Sequence, residues 1–494
     1  TLSLVRDGTT VQLKSGASTN TATPAVTVQN GLANASGKAL TISGATGAAN
    51  LIVSNLDTLK VSTDAGNGLV VNTFTNVTLK QASSYDSTYG VLTLADATSL
   101  TVGGQDASST SGVAYAGAIT ASTVTASNLT TLTVDTTEGN VSIGASGLTA
   151  AKLATVTASG AGNFTLGGST ATTTLLSSVN ATGQTGDVTI GQGVDFTTSA
   201  SISTGAGADT VWMNLQSYAN VTVDAGTNTY SNTSVSSSAK DTLKLQGAMN
   251  MGLSVIDLSS TTDQITQANG AINGAVQKGF ESVDGSALTG SYGLSITGST
   301  GSNVIVGSGN ADNIVGNGGT DTITGGAGAD TIDITDAGTT STSKATVVLS
   351  AIASDADTIT GFLAGTGDAA DVLSIFETAS SDLAGTALAY VEGTQSALKA
   401  SATGVVTTAK NIITLTSGTY SSGAAIQSAL ADIDAGTNAV VGDGVIVVAA
   451  DSSGNVNIWY DAALASGDSV KIATLVGTYT LSDFDSTNFA MTFA

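Results

Sequence analysis

The chain has 494 residues and a formal net charge of −24, from 37 acidic and 13 basic side chains, and it contains neither His nor Cys. The charge argues against nucleic-acid binding, which needs a basic surface. Without His and Cys there are no disulfide bonds, no usual general base and few options for zinc. No run of about 18 apolar residues is present, so we expect no transmembrane helix. The chain begins at Thr1 without Met or a signal region, and we expect a fragment or a processed form.

Residues 1–200 are predicted to form short strands throughout. Triplets of apolar, polar and apolar residues recur, and such alternation with β-branched residues favours strands. Their spacing is loose, about twenty residues with insertions, which predicts a parallel β-solenoid or β-helix, with an antiparallel sandwich as the alternative. Low aromatic content, 4%, favours the solenoid. The triplets begin at Leu59, Val77, Leu100, Leu132, Val156, Val179 and Val188.

A longer module occurs twice, at 179–211 and at 283–332, and its copies end in GAGADTV and GGAGADTI. This similarity makes Asp209 a candidate cation ligand, although we expect no adjacent repeat to complete its site. Residues 201–297 are interpreted as an irregular continuation of the solenoid with this one isolated calcium loop. Three carboxylates in it are interpreted as solvated turn residues: Asp224, Asp241 and Asp257.

Residues 298–333 divide into four nonapeptides, GSTGSNVIV, GSGNADNIV, GNGGTDTIT and GGAGADTID. Each begins with Gly, has Asn or Asp at the sixth place and has Ile at the eighth. The Gly-rich part allows positive φ angles in a turn, and the last three residues predict a short strand with its Ile pointing inward. This pattern is typical of a calcium-binding parallel β-roll. A plain Gly-rich linker is the alternative, but it does not account for four Ile in register.

The sixth residues are the main candidate ligands, because Ca²⁺ prefers a cage of carboxylate and carbonyl oxygens. Each should face the loop 18 residues further on, which pairs Asn303 with Asp321 and Asp312 with Asp330. Asp333, with Asp336, is a candidate for closing the final turn. The predicted calcium-binding residues are Asn303, Asp312, Asp321, Asp330, Asp333, Asp209, Gly298, Gly307, Gly309, Gly316, Gly318, Gly325 and Ala327.

The sequence thus predicts an all-β protein whose C-terminal region has one or two short helices. Helical spacing occurs at 424–433 and less clearly at 381–402. Strands at 444–449 and 456–460 flank a predicted hairpin turn. Trp459 and Tyr460 are interpreted as local core rather than as lattice contacts. The predicted domains are a solenoid at 1–200, its irregular continuation at 201–297, the calcium roll at 298–336 and a β-rich region at 337–494.

The nonapeptides resemble those of RTX proteins, which bacteria export by type I secretion with an uncleaved C-terminal signal. The segments at 356–362 and 371–375 are similar to the flank that closes such rolls, and residues 472–494 look like the export signal. The Thr/Ser/Gly/Ala-rich solenoid, the lack of Cys and the acidity most resemble surface-layer proteins of Gram-negative bacteria. The RTX resemblance covers 281–494, whereas the surface-layer resemblance of 1–280 depends on composition and the module at 179–211.

The resemblance implies a secreted structural protein that self-assembles with Ca²⁺ into a two-dimensional lattice, the S-layer, on the bacterial cell surface. Residues 281–494 hold 22 acidic and 4 basic side chains, a net charge of 4 − 22 = −18, against −6 for the first 280. Cations would relieve this self-repulsion. Nothing helical opens the chain, so we expect anchoring to cell-surface polysaccharide or lipopolysaccharide to lie in a segment absent here or in another protein.

Two other functions stay open. A secreted RTX adhesin or biofilm matrix protein would share the repeats and the export signal. A β-helix enzyme acting on polysaccharide would need a carboxylate pair and basic partners. Glu occurs only four times and Arg only once, at Arg6. We therefore expect no enzymatic activity.

Overall fold

The structure, a computed structural model, describes only part of the chain. The triplet predicted at Leu59 lies outside the described part. The described residues are 2–3, 10–12, 28–29, 40–43, 50–54, 68–72, 74–81, 87–105, 117–216, 220–226, 240–336, 343–350, 356–365, 370–377, 390–399, 412–434, 445–461 and 469–493.

The chain divides into two compact units. Unit 1 comprises Thr1–Ser231, Ser238–Gln246 and Asn273–Phe280, and unit 2 comprises Asn232–Ser237, Gly247–Ile272 and Glu281–Ala494.

Strands make up most of the described elements of both units. The first twenty are β1 Leu2–Ser3, β2 Thr10–Gln12, β3 Val28–Gln29, β4 Leu40–Ser43, β5 Asn50–Ser54, β6 Gly68–Asn72, β7 Asn76–Gln81, β8 Ser87–Leu94, β9 Ser99–Gln105, β10 Ile119–Thr125, β11 Thr131–Asp135, β12 Val141–Thr149, β13 Thr155–Gly160, β14 Phe164–Leu166, β15 Ala171–Thr172, β16 Leu176–Gln184, β17 Val188–Ile190, β18 Phe196–Gly205, β19 Thr210–Asn214 and β20 Thr222–Asp224.

The later strands are β21 Thr242–Met249, β22 Ser254–Asp257, β23 Ile265–Ala268, β24 Ala271–Ile272, β25 Gln277–Lys278, β26 Ser282–Gly290, β27 Leu294–Thr297, β28 Val304–Val306, β29 Asn313–Val315, β30 Thr322–Thr324, β31 Thr331–Asp333, β32 Thr346–Ser350, β33 Asp357–Thr360, β34 Val372–Glu377, β35 Tyr390–Gly393, β36 Ile412–Leu415, β37 Val445–Ala450, β38 Val456–Asp461, β39 Val470–Val476 and β40 Phe489–Phe493. The helices are α1 Gln395–Lys399 and α2 Gly423–Asp434, with single 3₁₀ turns at Leu481–Asp483 and Ser486–Asn488.

Unit 1 is a parallel solenoid. Successive strands alternate between two ladders, for example β8–β10–β12–β14–β17–β19 and β7–β9–β11–β13–β16–β18, and every one of these pairings is parallel. The predicted triplets within the described residues fall on strands, and their outer residues form the core. Leu132 stacks on Val156, and Val134 on Ala158, all buried. The solenoid prediction is therefore confirmed, and the antiparallel sandwich is wrong for these strands.

The four nonapeptide strands of unit 2 continue the same plan with a shorter coil. One ladder runs β26–β28–β30–β32–β34–β40, and the other runs β22–β27–β29–β31–β33–β39. The predicted inward Ile are all fully buried, and each stacks on the Ile two repeats away. The two stacks are Ile305 on Ile323 and Ile314 on Ile332.

The end of unit 2 departs from parallel pairing. Strands β37, β38 and β39 are antiparallel, with the predicted hairpin turn closed by the bond from Asp451 N to Asn455 O at 2.9 Å. Helix α2, predicted at 424–433, packs Ile426 and Leu430 on this sheet beside the buried Trp459. Trp459 is thus core, as predicted. Within the weaker helix prediction at 381–402, the described residues hold strand β35 and the short helix α1, so the prediction is wrong at Tyr390–Gly393.

Among the described residues, no helix is both long and apolar enough to span a membrane.

Candidate calcium-binding roll

The sixth residue of each nonapeptide sits directly before a strand and is buried, and its side chain folds back over its own loop. A Cβ added to Gly298 would lie 2.8 Å from Asn303 Oδ1, and one on Gly316 would lie 2.9 Å from Asp321 Oδ2. At Gly307 and Gly325 an added Cβ would overlap the sixth residue's carboxylate outright. The sixth side chain therefore occupies space that a first-place Cβ would need, and at Gly298 and Gly307 the carbonyl oxygen of the Gly two repeats later lies closer still.

The loops follow two backbone paths. In the third and fourth repeats the second and fourth residues have positive φ, namely Asn317 at 78°, Gly319 at 91°, Gly326 at 109° and Gly328 at 104°. The predicted positive φ angles are confirmed for these two repeats, although Asn317 and not Gly adopts one of them. The first and second repeats have Ser at the second place and no positive φ within the loop, so the prediction is wrong for them. The repeats are thus not equivalent, although their strands are in register.

The structure brings both expected pairs together. The backbone N–H of Asn303 donates to Asp321 Oδ1 at 2.8 Å, and that of Asp312 donates to Asp330 Oδ1 at 2.8 Å. The second and fourth loops also touch through Ala327 N, which donates to the Ser308 carbonyl at 3.2 Å. Each carboxylate therefore fastens the coil before it.

The remaining predicted residues lie around this row of sixth-place side chains. Gly309 and Ala327 are exposed and Gly318 is half-buried, so the third places face outward. Asp333 Oδ1 accepts from Thr335 N at 2.9 Å and caps its own turn, and both oxygens of Asp336 accept from Ser343 Oγ at 2.8 Å. Neither carboxylate lies in the row of sixth-place side chains.

Asp330 is the sixth-place carboxylate whose surroundings most strongly favour a bound cation. Burial raises its pKa to about 8; the N–H of Asp312 lowers the pKa, while the charges of Asp357 and Asp312 raise it further. Its Oδ2 has no hydrogen-bond partner among the described residues, and the residue is only 1% exposed. A buried carboxylate of this kind is stable when ionised only beside a positive charge.

The donor set fits Ca²⁺, a hard cation that takes oxygen ligands in a flexible cage. Among the described residues no three acidic side chains converge, so backbone carbonyls of the stacked loops and water have to complete the shell. Asp312 and Asp330 would hold the ion on one side of the roll, and Asp321 with the amide of Asn303 on the other. Bound Ca²⁺ would supply the positive charge that these buried oxygens lack.

Sequence reasoning missed two members of the row. Asp330 N donates to Asp357 Oδ1 at 3.1 Å, which extends the row one coil beyond the nonapeptides. Asp371 accepts from Ala345 N at 2.8 Å and from Leu363 N at 2.7 Å, and it is buried. The signal was present: an Asp followed by Thr and an aliphatic residue opens the strands at Asp330 and Asp357 alike.

The same arrangement recurs in unit 1 at Asp209. Val188 N donates to Asp209 Oδ1 at 2.7 Å, and Asp209 N donates to Asp241 Oδ1 at 2.7 Å. Both aspartates are fully buried. The expectations of a solvated Asp241 and of an isolated Asp209 are therefore wrong, because Asp241 caps the coil that begins at Asp209.

The other two aspartates of that region behave differently. Asp224 forms a half-exposed ion pair with Lys278 at 3.0 Å, and Asp257 caps its own turn through Ser259 N at 3.0 Å. Asp257 thus agrees with its interpretation as a turn carboxylate, whereas the Asp224 pair joins two neighbouring coils, because Lys278 lies directly opposite Asp224 on the paired strand β25.

Comparison with known families agrees with this geometry. Residues 297–332 match the RTX calcium-binding nonapeptide repeat in four copies. No curated protein matches the chain. RTX nonapeptide repeats bind calcium, so Ca²⁺ is the cofactor of this roll. Residues 297–332 are thus a segment of four RTX-type calcium-binding repeats within this chain.

Proposed function

We propose that this protein is a secreted structural component of the bacterial cell surface, a surface-layer protein that assembles into a two-dimensional lattice when Ca²⁺ folds the roll. The observation that carries the proposal is the buried Asp330, whose Oδ2 has no hydrogen-bond partner among the described residues and is available to bind a cation. Proteins with RTX repeats are typically secreted. Calcium is abundant outside cells and scarce inside, so a calcium-dependent fold would assemble only after export.

The distribution of charge supports assembly that depends on cations. Residues 281–494 carry a net charge of 4 − 22 = −18, and such a region repels another copy of itself until cations neutralise it. Export by type I secretion, with the signal at 472–494, belongs to the same proposal. A structural role without catalysis also belongs to it.

Exposed apolar side chains at one end of a sheet of unit 2 support self-association. Strand β24 pairs only with β23 among the described residues, so its other edge is open to a further strand. Ile272 in β24 is 84% exposed, and nearby Met251 is 72% exposed. Apolar surface next to an open strand edge favours protein–protein contact.

Electron microscopy of the purified chain tests the proposal. The protein is freed of metal with chelator and then dialysed into Ca²⁺, into Mg²⁺ or into chelator alone. We expect extended sheets only with Ca²⁺, because Mg²⁺ demands a tighter octahedral shell. Asp330→Asn should need more Ca²⁺ to form sheets, and Asp257→Asn, which changes a turn carboxylate, should assemble like the parent.

Two outcomes would contradict the proposed lattice. Sheets that form equally well in chelator would show that assembly does not depend on calcium. A chain that folds with Ca²⁺ but sediments as a monomer at all concentrations would point to the adhesin or matrix function instead.

A further inference from the structure

The two sixth-place aspartates on one side of the roll differ in how fully protein donors already satisfy them. Asp312 Oδ1 accepts from Leu294 N at 2.5 Å and from Ser308 Oγ at 2.9 Å, and its Oδ2 accepts from Ser308 N at 2.5 Å. Asp330 Oδ1 accepts from Asp312 N, and no donor among the described residues reaches its Oδ2. A carboxylate has about four acceptor positions, so Asp312 has roughly one left and Asp330 roughly three.

Ser308 is the residue that makes the difference. It occupies the second place of its repeat, where it is buried and donates both its N–H and its hydroxyl to the sixth residue. The equivalent residue of the fourth repeat is Gly326, which has no hydroxyl. Its φ of 109° and the overlap of an added Cβ with the Ser308 carbonyl also prevent a Ser from taking that place.

The first repeat shows the same contact independently. Ser299, nine residues before Ser308, donates its N–H to Asn303 Oδ1 at 2.7 Å and its hydroxyl to the same oxygen at 3.2 Å. In both loops the Ser hydroxyl also accepts from the backbone N–H two residues on, at 3.1 Å. A contact that recurs at the period of the repeat belongs to the loop design and not to one local arrangement.

We propose that Ser308 is an internal substitute for the cation. Its N–H and its hydroxyl hold Asp312 in place. The folding of this side of the roll therefore depends on calcium through the fourth loop and not through the second. Hydrogen bonds to a charged acceptor are among the strongest that proteins make. Any cation at Asp312 has to compete with them. Ser308 thereby lowers the calcium affinity of its own loop while keeping that loop folded at low calcium.

Hydrogen exchange of the full-length chain, read by mass spectrometry, tests the proposal directly. Peptides covering 304–315 contain the second loop with its flanking strands β28 and β29. Peptides covering 322–333 contain the fourth loop with its flanking strands β30 and β31. On moving from calcium to chelator, we expect exchange in 322–333 to accelerate at least tenfold and exchange in 304–315 to change no more than about threefold. Equal acceleration of both segments overturns the proposal, without any variant being needed.

Variants separate the hydroxyl from the backbone donor. Ser308→Gly, which restores the Gly-rich loop, should make 304–315 accelerate about tenfold in chelator, and it should raise calcium affinity by calorimetry about tenfold. Ser308→Ala keeps the N–H and should fall between the Gly variant and the parent. Ser295→Ala, a serine on the adjacent strand β27, is the control and should match the parent.

Folding of the variants is checked in calcium by circular dichroism. If Ser308→Gly does not fold even there, Ser308→Ala alone decides between the outcomes. Unchanged exchange of 304–315 in chelator for both variants, with unchanged calcium affinity, would show that Ser308 does not substitute for the cation.

Discussion

The backbone N–H of Asp312 donates to Oδ1 of Asp330 at 2.8 Å, although 18 residues separate them in the chain. The same bond joins Asp330 to Asp357 and, in unit 1, Asp209 to Asp241. A buried carboxylate therefore caps the start of the strand one coil earlier. Strand stacking is coupled to the charge of these side chains, and this coupling makes a cation part of the fold.

The first prediction concerns the Gly at the first place of the fourth repeat. Gly325→Ala should destabilise the roll by about 1–3 kcal/mol and weaken calcium binding, because its methyl group would overlap Asp330 Oδ2. Gly309→Ala is the matched control, since an added Cβ there meets no described residue within 4 Å and its φ is not positive. Urea unfolding and calcium calorimetry measure both. Equal behaviour of the two variants would contradict the placement of Asp330.

The strands and pairs of the roll could be predicted because their period is fixed. Ile305 and Ile323 both fall at the eighth place of a nonapeptide, and one full turn is two repeats, so register follows from counting. The pairing of Asp312 with Asp330 follows from the same count.

The sequence did not predict that Asp241 and Asp357 extend these rows of buried carboxylates, because insertions change the spacing between coils. Asp241 lies 32 residues after Asp209, and Asp357 lies 27 after Asp330, instead of 18. The contact of Ser308 with Asp312 could not be predicted either. It depends on the φ angle at the second place, which Ser and Gly set differently, and the nonapeptide pattern treats that place as variable.

The second prediction tests the corrected position of Asp241. Asp241→Ala should lower the free energy of unfolding of unit 1 by about 1–3 kcal/mol, because it leaves the buried N–H of Asp209 without its acceptor. Asp257→Ala should cost under about 1 kcal/mol, since that side chain caps only a half-buried turn. Urea unfolding compares them. A negligible loss at Asp241 would restore the solvated interpretation.

The third prediction is a pH dependence of unit 2. Burial raises the pKa of Asp371 to about 6, against which the N–H groups of Leu363 and Ala345 lower it. The unfolded pKa is about 3.9, so the folded state binds the proton more tightly. The contribution of this group is fully present below pH 4 and is lost as pH rises through 6, by on the order of 3 kcal/mol.

Urea unfolding at a series of pH values measures this slope in metal-free buffer. Asp371→Asn should remove this part of the slope between pH 4 and 6, at a fixed cost for placing an amide N–H₂ against a backbone donor. A slope that is unchanged in the variant would assign the dependence to other carboxylates.

The fourth prediction asks whether Asp209 is a calcium ligand, using the only two Trp residues in the chain as separate reporters. Trp212 lies in unit 1 with Lys244 Nζ 5.3 Å from its ring centre, and Trp459 lies in the core of unit 2. In the Trp459→Phe background fluorescence follows unit 1, and in the Trp212→Phe background it follows unit 2. A ligand that binds only the folded state at 100 times its Kd stabilises by about 2.7 kcal/mol.

If Asp209 and Asp241 hold Ca²⁺ as the roll does, calcium should shift the Trp212 unfolding transition as well as that of Trp459. Asp209→Asn should then abolish the calcium shift of Trp212 and leave that of Trp459 intact, because the two reporters lie in different units. Asp224→Asn, at a half-exposed ion pair, is the control and should keep both shifts. If calcium does not shift the Trp212 transition in the parent, the carboxylates of unit 1 serve the solenoid only as backbone caps. The cation then acts only through unit 2.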